Sequence, residues 1–183
     1  MNCHVQDATG DTTLRPFLLS GKVIHGHGRG GTCLGTPTAN LMLDDNVIAQ
    51  LQPYKNLVLY GWGSVVAIPG REAAGGEGPY PFVMSIGYNP HFKDVSLSAE
   101  VHFMHQFAGD FYGAFVKIVV LGTIREMGAF VSLEALVDAI KNDIRVTREA
   151  LQKPELARQK EHIFLSLSLE PSKAHPYFEV IAV

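Results

Sequence analysis

The sequence predicts a mainly β fold completed by a helix, with short strands closing a barrel or sandwich before one long amphipathic helix. Three observations carry this reading. Residues 21–24, 57–66 and 82–87 are short β-prone runs set between Gly and Pro punctuation. Residues 98–107 alternate apolar and polar side chains. From Ser132 onward the apolar period lengthens from two residues to three and four.

The elements follow in order. Between the second and third runs, residues 69–79 are dense in Gly and Pro, which predicts a poorly ordered surface loop. Along residues 98–107, Ala99, Val101, Phe103, His105 and Phe107 project one way, whereas Ser98, Glu100, His102, Met104 and Gln106 project the other. Residues 117–121 are rich in Ile and Val and suit a strand buried on both faces, paired with the preceding one. In the helix, Leu133, Leu136, Val137, Ile140, Ile144 and Leu151 fall on one stripe, and Thr147 fills the remaining step. Ser132 is the expected N-cap, Glu134 complements the positive end of the helix dipole, and Pro154 marks the stop. A short second helix over residues 155–164 and a tail carrying Pro171 and Pro176 complete the chain.

With 183 residues, 46% of them hydrophobic, the chain suits one domain spanning residues 1–183. A net charge of −3 with interspersed signs offers no basic stripe for nucleic acid and no cationic face for a membrane. No apolar run reaches the roughly 20 residues that cross a bilayer, and the opening residues lack the order of a secretory signal. A cytoplasmic location is expected, with organellar import left open. Cys3 and Cys33 are the only cysteines, so no disulfide framework is expected.

The densest chemical signal is residues 26–40, where Gly26, Gly28, Gly30, Gly31 and Gly35 crowd one loop. Such a loop lets backbone N–H groups surround an anion, which suggests a phosphate cradle; a plain flexible hairpin is the alternative. Gly26, Gly28 and Gly31 satisfy the dinucleotide-binding spacing, but Pro37 denies the helix that must follow. The Walker ending is missing too, since Gly35-Thr36-Pro37 stands where Gly-Lys-Ser or Gly-Lys-Thr belongs. A protein kinase is excluded because Pro69 occupies the lysine position, Tyr112 interrupts Asp-Phe-Gly, and no His-Arg-Asp exists.

Thr38 and Asn40 lie two apart, so in an extended segment they project to the same side, where their oxygens suit Mg²⁺ shared with nucleotide phosphates. Completing a turn is their plainer role. Glu100 is the one carboxylate amid an apolar and aromatic strand, and is the general-base candidate; a solvent-facing carboxylate is the alternative. His102 and His105 lack companions at metal-ligand spacing, which argues against zinc ligation by them. Arg125 ends the buried strand and either holds a substrate or is a surface arginine.

Taken together, residues 34–40 (Leu-Gly-Thr-Pro-Thr-Ala-Asn), Tyr60-Gly61-Trp62, residues 84–90 (Met-Ser-Ile-Gly-Tyr-Asn-Pro), Glu100-Val101-His102 and Asp110-Phe111-Tyr112-Gly113 resemble the riboflavin kinase family in order and spacing. The resemblance covers about residues 17–151, leaving 152–183 as a C-terminal extension. It implies a six-stranded antiparallel Greek-key barrel with a long C-terminal helix, acting on ATP and riboflavin to give FMN and ADP. Separately from the resemblance, a monomer is expected, though the sequence itself does not fix the oligomeric state. By similarity Gly26, Thr32, Thr38, Asn40, His105 and Tyr112 belong to the ATP site, and Lys93, Arg125 and Phe130 to the flavin site. Thr38 and Asn40 would also hold Mg²⁺, or an ion such as Zn²⁺ or Mn²⁺, and Glu100 would be the base.

The chain departs from the family pattern in two places. Thr32 stands where many relatives carry Lys or Arg, which leaves Arg29 to supply charge, and Arg125-Glu126-Met127 replaces the Arg-Pro-Glu common among relatives. Other readings of the same residues are a flavin carrier without catalysis and a kinase for another small alcohol.

Overall fold

A computed structural model describes residues 14–25, 38–67, 77–88, 97–166 and 175–182. Its strands are β1 (Phe17–Ile24), β2 (Ala39–Leu41), β3 (Leu57–Ala67), β4 (Glu77–Tyr88), β5 (Leu97–Phe103), β6 (Phe115–Glu126) and β7 (Tyr177–Val180). The helices are α1 (Asp45–Leu51), α2 (Leu133–Ala150), α3 (Pro154–Ala157) and α4 (Ile163–Ser166). The strands run β2-β5-β4-β3-β6-β1, and a further β1–β2 pairing closes them into the expected six-stranded antiparallel barrel. Strand β7 stands outside that ring. It pairs with Phe17 to Ser20 of β1, on the same edge whose Val23 and Ile24 meet β2.

Inside the ring, Phe17, Leu19, Leu59, Phe82, Met84 and Val101 are among the buried side chains of the main core, and Val47 and Leu51 of α1 join it. Helix α1 was not foreseen, although Asp44 is a cap by type and its carboxylate accepts from the Val47 N–H at 2.8 Å. A second apolar cluster lies on the other side of β6, where Leu18, Val119 and Leu121 meet Leu151 and Leu165. There the Trp62 indole N–H donates to the Leu156 carbonyl at 2.9 Å, tying α3 to β3.

Strand β6 is buried on both faces, as its composition predicts, but its neighbours are β1 and β3; β5 lies between β2 and β4. The pairing expected from adjacency in sequence is therefore corrected. The 12 residues of β6 find hydrogen-bonding partners along the 11 of β3, which the 7 of β5 could not supply. Of the Gly- and Pro-rich stretch, residues 68–76 lie outside the described residues, whereas 77–79 extend β4. The tail beyond Pro176 forms β7.

Ser132 caps α2 as expected, its hydroxyl accepting from the Ala135 N–H at 3.1 Å, and Pro154 opens α3. The apolar stripe of α2 is only half-buried, with Leu133 66% exposed; the buried residues of the helix are Asp143 and Thr147. Among the described residues no helix is long and apolar enough to cross a membrane.

Two predictions follow from the barrel wall. A Cβ on Gly61 would sit 1.9 Å from the Val119 carbonyl oxygen, so Gly61→Ala must part β3 from β6. Its urea midpoint should fall by an amount equivalent to about 3 kcal/mol, and an unchanged midpoint would show that the strands yield easily. Lys117 is buried beside the Phe164 ring, 5.3 Å from its centroid, and desolvation lowers its pKa from the ordinary 10.5. The folded chain therefore holds this proton less tightly than the unfolded chain, and stability must rise as pH climbs toward the ordinary lysine range. Measured against Lys117→Met between pH 7 and about 10, the wild type should gain relative stability. A flat difference would remove the assigned desolvation.

Candidate active site

Strand β5 sorts its side chains by parity: Leu97, Ala99, Val101 and Phe103 are buried, while Ser98, Glu100 and His102 are half-buried on the outer face. Beyond Phe103 the chain bends, so the alternation expected through residue 107 stops. His105 is exposed and stacks on Tyr80, with ring centroids 3.8 Å apart and planes 7° apart.

Thr38, just before β2, brings its hydroxyl to 3.5 Å from Glu100 Oε2, the outer limit of a hydrogen bond. Asn40 sits directly across from Glu100 in the β2–β5 ladder, flanked by the buried Ala39 and Leu41. Thr38 and Asn40 therefore share a side, as their spacing predicts, and it is the side of Glu100. The three supply hydroxyl, amide and carboxylate oxygens, a hard donor set that fits Mg²⁺ once nucleotide oxygens are added. Among the described residues no three His, Cys, Asp or Glu side chains form a metal-holding group.

The register carries this row onward. Glu100 pairs with Ser85 of β4, Ser85 with Val58 of β3, and Val58 with Arg125 of β6. Directly paired residues of antiparallel strands share a face, so Asn40, Glu100, Ser85, Val58 and Arg125 lie along one line on the barrel's outer surface. From Glu100 to Arg125 is three strand spacings, about 14 Å.

At the Glu100 end a cavity of about 690 Å³ opens, lined by Thr38, His102, His105, Tyr112, Ile144 and Arg148 among others. Two stacked pairs offer π faces nearby: Tyr80 with His105, and His25 with Tyr112, the latter with centroids 3.7 Å apart. At the Arg125 end, helix α2 crosses β4 and β6. Asp143 receives Arg125 Nε at 2.9 Å and Nη2 at 2.8 Å, a two-pronged ion pair in which the carboxylate is 3% exposed. The guanidinium also lies over the Phe130 ring, 5.5 Å from its centroid. In the segment that follows β6, Met127, Phe130, Val131 and Leu133 are exposed apolar side chains. Met127 Sδ occupies the space that a Cβ at Gly87 would need, which seats this departure from the family pattern.

Of the residues singled out in the sequence, Thr38, His105 and Tyr112 share the cavity, and Asn40 and Glu100 adjoin it through Thr38 and the ladder. Arg125 and Phe130 form the second cluster. Gly26, Arg29, Thr32 and Lys93 lie outside the described residues. Sequence reasoning missed His25, Tyr80, Asp143 and Arg148. Asp143 had a signal, because it falls three residues after Ile140 and four before Thr147, inside the helix's inward stripe.

Comparison with known proteins is consistent in direction. A sequence model for the Flavokinase family, described as riboflavin kinase, matches residues 13–151. A riboflavin kinase of Pyricularia oryzae is 42% identical over 144 residues, covering 75% of this chain and 72% of that protein. The human riboflavin kinase is 37% identical over 155 residues, covering 84% and 92%. The crystal structure of riboflavin kinase from Trypanosoma brucei superposes with a TM-score of 0.78 at 50% identity, covering 92% of this chain and 99% of that one.

The Arg125–Asp143 pair is asymmetric in burial, with side-chain exposures of 30% and 3%. Arg125→Met strands a buried carboxylate and should cost about 3 kcal/mol in urea unfolding. Asp143→Asn leaves an acceptor for a guanidinium that water still reaches, and should cost only about 1 kcal/mol. The reverse ranking would mean that the carboxylate is not the dependent partner.

Proposed function

The chain belongs to the riboflavin kinase family and is a kinase, and from that premise we propose how its residues transfer the γ-phosphate of ATP to the ribityl 5′-hydroxyl of riboflavin. The observation that carries the proposal is the outer-face row: oxygens of Thr38, Asn40 and Glu100 at one end, Arg125 and Phe130 at the other. A substrate with a flat ring at one end and a polyol tail at the other suits that span.

The isoalloxazine ring rests on the apolar group at Phe130, and Arg125, held by Asp143, faces its polar edge. The ribityl chain then runs along the row past Ser85 toward Glu100. The adenine lies against His105, stacked on Tyr80, and Tyr112, stacked on His25, with the phosphates toward Thr38 and Asn40. Gly26 and Thr32 belong to the same nucleotide site, and Lys93 to the flavin site. A divalent ion held by Thr38 and Asn40 would neutralise phosphate charge.

Glu100 accepts the proton of the 5′-hydroxyl as that oxygen bonds to the γ-phosphorus; the bond to the β–γ bridging oxygen breaks, and ADP carries away its electron pair. Little covalent work falls to the protein beyond this alignment. The half-burial of Glu100 keeps its carboxylate reachable from the cavity while β4 and β2 hold the strand on both sides.

Incubation with ATP, Mg²⁺ and riboflavin should yield FMN, read by chromatography. Glu100→Gln should retain binding of both substrates and lose turnover by about 10²- to 10⁴-fold. Wild-type turnover in that variant would move the base elsewhere, and absence of FMN from the wild-type protein would end the proposal.

A further inference from the structure

We propose that Arg148 meets the triphosphate of the nucleotide, as an anion-binding side chain carried to the cavity by α2. The inference rests on the kinase reading and adds to it a residue outside the motifs of the barrel.

Charge is the first argument. Among the described residues lining the cavity, Arg148 is the only Lys or Arg, and Asp110 the only Asp or Glu. A triphosphate placed there without a cation would face Asp110 and the nearby Glu100 uncompensated, and a divalent ion would balance only part of its charge. A guanidinium supplies donors in a planar fork that matches phosphate oxygens two at a time.

Availability is the second. Arg125 is committed to Asp143, and Arg145 donates to Glu149 at 2.7 Å and to Asn142 at 2.9 Å. Arg148 makes no hydrogen bond or ion pair with another described residue, so binding an anion breaks no existing contact there.

Placement is the third. Asp143 and Thr147 are the buried residues of α2, and Leu151 just beyond it is buried in the outer cluster. At about 100° per residue, Arg148 lies about 140° round the helix from Asp143, on the flank it shares with Ile144 one turn earlier. Ile144 also lines the cavity. One flank of the helix thus holds the flavin-side arginine while the other presents Arg148 to the space beside Thr38 and His102. The rotation that buries Asp143 is the rotation that aims Arg148.

The test is calorimetric titration of the full chain with Mg·ATP, Mg·ADP and adenosine. Arg148→Ala should weaken ATP by about 10- to 100-fold, the worth of one charge-assisted contact, and leave adenosine unchanged. Arg148→Lys should recover part of the loss, since it restores charge without the fork. Riboflavin affinity, read from flavin fluorescence, should hold in every variant, and Arg145→Ala should match the wild type. Arg148→Gln, which keeps most of the stem, repeats the comparison if the alanine variant unfolds.

ATP affinity within about twofold of wild type would overturn the assignment. So would an equal loss for ATP and adenosine, which would make Arg148 a packing residue, or a wild-type protein that binds no ATP. Titration needs no turnover, so an Arg148-dependent ATP affinity in a protein that makes no FMN would sink the phosphotransfer reading while sustaining this one.

Discussion

Closure of the barrel through β1 is the constraint on which the rest depends. Strand β1 gives one edge to β6 over residues 17–22 and splits the other between β7 and β2. The contact with β2 spans two register positions, Val23 with Leu41 and Ile24 with Asn40. Side chains alternate across a strand, so this short contact decides that Ala39 and Leu41 enter the core and that Asn40 faces out. The same parity passes through β5 and β4 to Arg125. A slip of one residue would drive Asn40 and Glu100 into an apolar interior and turn Ala39 and Val101 to water.

The outer row acquires its second wall from α2, whose seating owes little to greasy contact. Leu136, Val137, Ile140 and Ile144 are half-buried, and the side chains the helix buries are polar, the charged Asp143 and Thr147. Ion pairs of this kind add modest net stability, because desolvation offsets much of their attraction. Their geometric demand is strict. An apolar stripe tolerates a small rotation of the helix about its axis, whereas the two-pronged contact between Arg125 and Asp143 does not. The pair therefore sets which side of α2 faces Phe130 and which faces the cavity.

The far side of β6 shows why that strand is apolar on both faces. Val116, Ile118 and Val120 point into the barrel, while Val119 and Leu121 pack under Leu151 and Leu165 from the segment that follows α2. Anchoring of α3 by the Trp62 indole holds this cover in place. Lys117 is enclosed with it, at a desolvation cost visible in its lowered pKa. The segment beyond residue 151, outside the span of the recognisable motifs, thus completes the second core of the molecule and steadies the C-terminal end of α2.

What the sequence determined by itself is what neighbouring residues encode. The alternation around Glu100 put it opposite Val101 and Phe103, the spacing of Thr38 and Asn40 put them on one side, and Ser132 marked the start of α2; all three depend on local backbone geometry. Motif order named the family for the same reason, since glycines, Thr38, Asn40 and Glu100 are read one after another along the chain. Tertiary structure alone decided that β5 avoids β6, that the tail returns as β7, that His25 stacks on Tyr112, and that Arg125 meets Asp143. Thr38 and Glu100 are 62 residues apart, and their meeting follows from ring closure, not from any short-range preference. Partner choice in a closed sheet is a global solution in which every ladder must be satisfied at once, and no window of adjacent residues contains it.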